Sequence, residues 1–224
     1  MNYGHFTAMQ VRRRATRGLD LHLARLDAAN REIFDVPLDG EEVRARIREA
    51  LGDTEDASVR VIAEETGFTV TVRPPAPDPP SPQRLQSVVY QRPVAHLKHS
   101  GGFAQEYFGR RAERAGFDEI LLTGPNGEVS EGGITNVCFV DGATLVWPDA
   151  PHLAGITMQL IEKLVPGRHS PVHVNALEGY AGGFVTNSHG IAVIASVDGL
   201  ELPVARGLEA HLREAYAAVP WDVI

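Results

Sequence analysis

Of the 21 basic residues in this 224-residue chain, only Lys98 and Lys163 are lysines, and the other 19 are arginines. An arginine stays charged at any physiological pH, whereas a lysine held away from water can lose its proton and act as a nucleophile. Lys163 falls on the polar side of a helical pattern. Lys98 lies in Ala95-His96-Leu97-Lys98-His99-Ser100, between a strand pattern and a helix pattern, with two glycines following. An amine there can form a Schiff base with a carbonyl compound. The plain alternative is a solvated loop lysine, which is what most lysines are.

Four further segments carry groups that would complement such an amine. Glu131 follows the Pro125-Asn126-Gly127 turn on a short β-rich run and precedes two glycines. With a period of two it faces away from the exposed Glu128, where a backbone or ligand can approach. A carboxylate in that position can keep a pyridine ring nitrogen protonated and make the ring an electron sink. Leu153-Ala154-Gly155-Ile156-Thr157 opens a helix, whose free N–H groups and dipole suit an anion, with the Thr157 hydroxyl as an added donor. A simple helix cap is the alternative. Asn187 and Ser188 follow a strand, in Phe184-Val185-Thr186-Asn187-Ser188-His189-Gly190, where turn chemistry competes with ligand contact. Arg25 interrupts the apolar face of a helix and either reaches inward to an anion or snorkels outward.

Other chemistries find no support. The formal net charge of -8 disfavours a phosphate-backbone partner, so no nucleic acid is expected. Cys138 is the only cysteine, which rules out an intramolecular disulfide and a cysteine-based zinc site. His169 and His173 have helical spacing, but Pro171 separates them and no acidic partner has ligand spacing; a solvated loop is expected, and no metal. The nucleophile elbow, the P-loop and the dinucleotide fingerprint are all absent. No run approaches a membrane span, and no leader is evident, so a soluble cytoplasmic protein is expected.

The elements that must position these groups are legible from periodicity. Residues 74–83 hold six of the 15 prolines and read as a stiff connector. It divides a small domain (1–73) from a larger one (84–224). In the first, Phe6–Val11 is a strand, Leu21–Phe34 and residues 40–51 are helices, and Ser58–Ala63 with Phe68–Val72 form a hairpin. In the second, Leu85–Tyr90 is a strand and Phe103–Ala115 a helix. Four short strands up to Trp147 read as a meander. A helix over Ile156–Val165, strands over Phe184–Thr186 and Ile191–Val197, and a helix over Val204–Ala217 complete the α+β chain.

Taken in order from Phe6 to about Gly199, these segments resemble the class IV aminotransferases, the fold-type IV pyridoxal-phosphate enzymes. That family includes branched-chain and D-amino-acid aminotransferases and 4-amino-4-deoxychorismate lyase. The resemblance implies a small α/β sandwich and a larger barrel-like β domain with helices, the cofactor pyridoxal 5'-phosphate held between them, a small amino substrate and a homodimer. It implies Lys98 as the Schiff-base lysine and general acid/base, Glu131 at the pyridine nitrogen, and Arg25, Ile156 and Thr157 at the phosphate. Asn187 and Ser188 match a second polar loop. Transamination is the first expectation and elimination of pyruvate the second; a catalytically idle dimeric binding protein is the rival. Tyr3-Gly4-His5-Phe6-Thr7-Ala8 is almost the N-terminus, where relatives have a further strand pair. Gln10 replaces an arginine that binds substrate carboxylate, leaving Arg12, Arg14 and Arg92 as replacements. Phe103 stands where branched-chain members place a tyrosine.

Overall fold

The computed structural model describes residues 3–224, which form two compact units. The first contains the chain up to Pro77, together with Leu97–Gly101 and Val219–Ile224; the second contains Asp78–His96 and Gly102–Ala218. The partition is therefore finer than one cut at the proline connector. Two short later segments return to the first unit by backbone pairing.

In the first unit, β1 (His5–Val11) alternates buried and half-buried residues, as expected for a strand with one covered face. A two-residue strand, β2 (Ala15–Thr16), leads into α1 (Leu19–Phe34), and α2 (Gly40–Leu51) follows. The α2 helix starts where the Asp39 side chain accepts the Glu41 N–H at 2.8 Å, a standard N-cap. It buries Val43, Ile47 and Leu51, spaced four residues apart along one face. The hairpin of β3 (Ala57–Glu64) and β4 (Gly67–Arg73) completes a sheet in the order β1-β3-β4, with Met9 opposite Val59 and Val59 opposite Val72. Met9, Val11, Leu26, Val43, Ile47, Val59 and Val61 pack between that sheet and the two helices. Each such side chain contributes about 1.5–3 kcal/mol when fully buried.

The second unit is built on β5 (Gln83–Val89), α3 (Phe103–Arg114), β6 (Glu119–Thr123), β7 (Val129–Gly132), β8 (Asn136–Asp141), β9 (Thr144–Pro148), α4 (Ile156–Glu162), β10 (Gly167–Ser170), β11 (Gly183–Asn187), β12 (Gly190–Val197), β13 (Leu200–Glu201) and α5 (Arg206–Ala217). Its sheet runs β10-β9-β8-β11-β12-β5-β6-β7, with β13 beside β12, and curls as a half-barrel. The α+β expectation holds. The meander does not: β7 ends the sheet beside β6, whereas β8 pairs with β9 and β11. The Gly132–Thr135 turn separates them, closed by the Gly132 N–H to the Thr135 carbonyl at 2.8 Å. Phe139, Val146, Val185, Ala192 and Ile194 fill one core, and Trp147, Met158, Ile161, Phe184 and Leu212 fill another under α4 and α5. The last strand, β14 (Asp222–Val223), pairs with β2 in the first unit.

His169 is not in a loop as expected but on β10, parallel to β9, where Nε2 lies 2.7 Å from Glu162 Oε1. Four polar or small residues, Gly167-Arg168-His169-Ser170, gave no alternating pattern from which to read that strand. Among the described residues, no cluster of three or more His, Cys, Asp or Glu can hold a metal, and no helix is long and apolar enough to cross a membrane.

Candidate active site

In the first unit the chemical groups sit on β1, α1 and Leu97–Gly101. The last segment runs along β1: the Lys98 carbonyl accepts the Phe6 N–H at 2.9 Å, and the Ser100 N–H donates to the Gly4 carbonyl at 2.8 Å. Lys98 is thus placed by ladder bonds rather than by a loose loop. Its Nζ lies 4.9 Å from the centre of the Phe6 ring, within cation–π range. The Arg60 guanidinium also sits over that ring, at 3.6 Å.

His22 and Arg25, one turn apart on α1, converge on Thr7. Arg25 Nη2 donates to Thr7 Oγ1 at 2.6 Å, and the same oxygen lies 2.6 Å from His22 Nδ1. Thr7 is fully buried, so its hydroxyl proton needs an acceptor. Arg25 can only donate, so that proton points to His22 Nδ1, which leaves a neutral imidazole with its proton on Nε2. Burial holds His22 well below its ordinary value, and the charges of Arg25 and Lys98 push the same way. Burial alone lowers Arg25, to about 10, so it remains a cation at neutral pH. Its Nε is sealed from solvent and has no hydrogen-bond partner. No carboxylate among the described residues offsets the charge. A buried cation with an open donor is a seat for an anion.

In the second unit Glu131 is buried on β7, whose four residues are all buried, so the strand shows no alternation, and the exposed Glu128 precedes it. Arg92 Nε donates to Glu131 Oε1 at 2.7 Å, and the two side chains are 4% and 6% exposed. Arg92 also donates through Nη2 to the Ala95 carbonyl. Glu131 Oε2 accepts the Leu153 N–H at 3.1 Å, and Asn136 Nδ2 donates to the Leu153 carbonyl at 2.6 Å. The turn entering α4 is thereby tied to two strands. Gly155, the residue before α4, packs against Asn136 Oδ1 so closely that a Cβ would overlap it.

Thr157 departs from its expected role. Its hydroxyl donates to the Asn187 carbonyl at 2.7 Å, so its proton holds the β11–β12 turn instead of facing an anion. The backbone N–H groups of Ile156 and Thr157, in the first turn of α4, have no carbonyl within the helix to bond. Asn187 closes its turn by accepting the His189 N–H at 2.8 Å, and Ser188 is half-buried at the crest. Glu119, half-buried at the start of β6, accepts the Ile120 N–H at 2.8 Å, the Ile134 N–H at 3.3 Å and the Thr135 hydroxyl at 3.3 Å. It anchors the turn that follows Glu131, and burial raises its carboxyl above the ordinary range.

The structure therefore brings Arg25 and Lys98 together in one unit, and Glu131, the start of α4 and Asn187 together in the other. It also reassigns the proposed carboxylate binders. Arg92 is buried against Glu131. Arg14 reaches the Gly52 carbonyl. Arg12 donates to the carbonyls of Val11 at 2.9 Å and Ala76 at 3.2 Å, and Gln10 Oε1 accepts the Ala76 N–H at 3.0 Å. Gln10 and Arg12 fasten the start of the connector. Sequence reasoning missed Thr7, His22, Asn136 and the pairing of Arg92; only His22 left a signal, three residues before Arg25 on the same helix face.

No curated protein matches the chain. Solved structures do. A provisionally assigned 4-amino-4-deoxychorismate lyase from Legionella pneumophila superposes with a TM-score of 0.84 at 17% identity, over 94% of this chain and 89% of that one. A hypothetical aminotransferase from Mycobacterium tuberculosis gives 0.84 at 21% identity, over 97% and 89%. The branched-chain amino acid aminotransferase of Escherichia coli gives 0.84 at 16% identity, over 97% and 86%. These likenesses establish a shared fold, and the profile of the Amino-transferase class IV family matches residues 4–197. That match spans most of the chain's length, and the chain belongs to the class IV aminotransferases.

Proposed function

We propose that this protein is a pyridoxal 5'-phosphate-dependent aminotransferase acting on a small amino acid or amino compound, as a homodimer in keeping with its family. The observation that supports it best is Arg25: a half-buried guanidinium whose Nε is sealed from solvent and without a partner, in the same compact unit as Lys98. Such a group fits the phosphate of the cofactor, and an idle scaffold has no use for it. A relative from Mycobacterium tuberculosis has a pyridoxal-phosphate-bound form.

Bound there, the cofactor supplies a carbonyl that condenses with amines and a ring that takes up an electron pair. In the first unit Arg25 would hold the phosphate; in the second the N–H groups of Ile156 and Thr157 would offer phosphate donors beside the turn of Asn187 and Ser188. Lys98 offers the one primary amine in a built environment. The same amine, when free, would move the proton at the substrate's α-carbon. Glu131 keeps a proton on the ring nitrogen.

Purified protein should be yellow after reconstitution, and borohydride should fix the label on the Lys98 peptide. Protein that takes up no added pyridoxal phosphate would sink the proposal. The alternative is the lyase reaction, the second outcome that the family resemblance implies. Release of pyruvate from 4-amino-4-deoxychorismate with no keto-acid acceptor would select it, whereas a strict need for an acceptor selects transamination.

A further inference from the structure

We infer that Arg92 is a positioning residue that holds Glu131, as an anion and in a fixed orientation, for the ring nitrogen of the cofactor; this rests on the function proposed above. Three observations converge. The pair is sealed, with its side chains 4% and 6% exposed and Nε–Oε1 at 2.7 Å. A buried ion pair is poorly explained by stability alone, because apolar residues of similar volume serve as well or better. Arginine is also the cation that cannot neutralise its partner by giving up a proton.

The second observation is the direction of the bonds. Arg92 spends Nε on Glu131 and Nη2 on the Ala95 carbonyl, so the guanidinium plane is fixed from two sides. The Leu153 N–H fixes the other oxygen of Glu131, at 3.1 Å. The carboxylate is thus oriented by a cation and a backbone amide. The third is the loop that Arg92 closes. Pro93 restricts Arg92 to an extended backbone, and Val94 takes a φ of 44°, a costly value for a β-branched residue. The strained loop leads, three residues beyond Ala95, to Lys98. Strain of this kind collects where geometry serves function.

The test compares two probes, pyridoxal 5'-phosphate and its analogue with carbon in place of the ring nitrogen. Arg92→Gln should weaken binding of pyridoxal phosphate about tenfold, as loss of an orienting partner usually does, and leave the carbon analogue within about twofold. In a Glu131→Gln background, Arg92→Gln should have no further effect, and Arg92→Lys should recover part of the loss. Equal weakening of both probes, or multiplying effects of the two substitutions, would overturn the inference and mark the pair as structural. Should Arg92→Gln alone not fold, the Arg92→Gln/Glu131→Gln protein, which buries no lone charge, is compared with Glu131→Gln. Coincidence of the two supports the inference, and a further loss of pyridoxal phosphate alone overturns it. Wild-type protein that binds neither probe refutes the proposed function and this inference with it. Binding by wild type with no change in any variant refutes this inference only.

Discussion

Glu131 on β7 and Leu153 ahead of α4 are 22 residues apart, and a hydrogen bond of 3.1 Å from the Leu153 N–H to Glu131 Oε2 joins them. Asn136 takes the next peptide of the same residue, donating to the Leu153 carbonyl at 2.6 Å. The two peptide groups of one residue are therefore gripped from β7 and from β8, two strands that do not pair with each other. The proposed partner of the ring nitrogen and the proposed phosphate-binding turn are thereby parts of one framework. A shift in either is passed to the other through a short, buried set of bonds.

Gly155→Ala tests that framework. The added Cβ would collide with Asn136 Oδ1, and Asn136 is held by its bond to Leu153, so either the bond or the start of α4 must give. Overpacking of this kind costs about 1–3 kcal/mol. Urea denaturation should show a loss in that range, and cofactor affinity, read by visible absorbance, should fall with it. Unchanged affinity in a folded variant would count against the coupling.

The two lysines should behave in opposite ways. Lys163 caps the end of α4 and is exposed, so Lys163→Arg should change neither stability nor cofactor uptake. Lys98→Arg keeps a cation near Phe6 but removes the amine that can lose its proton. It should abolish covalent attachment and turnover, with folding retained by circular dichroism. Borohydride labelling followed by peptide mass analysis reads both outcomes.

His22 predicts a pH dependence of stability. Its folded value lies below the ordinary 6.5 through burial and the nearby charges of Arg25 and Lys98. The unfolded chain therefore binds the proton more readily, and the native state is favoured above pH 6.5 and loses stability as the pH falls from there toward the lowered value. His5 is lowered as well and acts in the same sense. In cofactor-free protein, His22→Asn should flatten part of this slope in denaturation curves taken from pH 8 to pH 5. An identical slope in the variant would mean that other groups carry it.

Much of the fold was open to reading because its signals are local. The 3.6-residue spacing of Val43, Ile47 and Leu51 and the Asp39 cap define α2, and alternation over Ala57–Glu64 defines β3. The polar strand β10 and the separation of β7 from β8 were hidden, since the partners of a strand are chosen by the rest of the sheet.

The site divides along the same line. The sequence by itself supplied the candidate reacting groups: one lysine followed by two glycines, one glutamate on a short strand, and one arginine within an apolar helix face. Residue type bounds what each group can do, because a lysine amine can alternate between nucleophile and cation, and a carboxylate can hold a ring proton. What the tertiary structure alone decided was the company these groups keep. Arg92 meets Glu131 across 39 residues and Thr7 meets Arg25 across 18. The Thr157 hydroxyl turned out to be committed to the Asn187 carbonyl. These pairings follow from burial. A polar group removed from water must find a partner wherever the folded chain provides one, and no local pattern records where that will be.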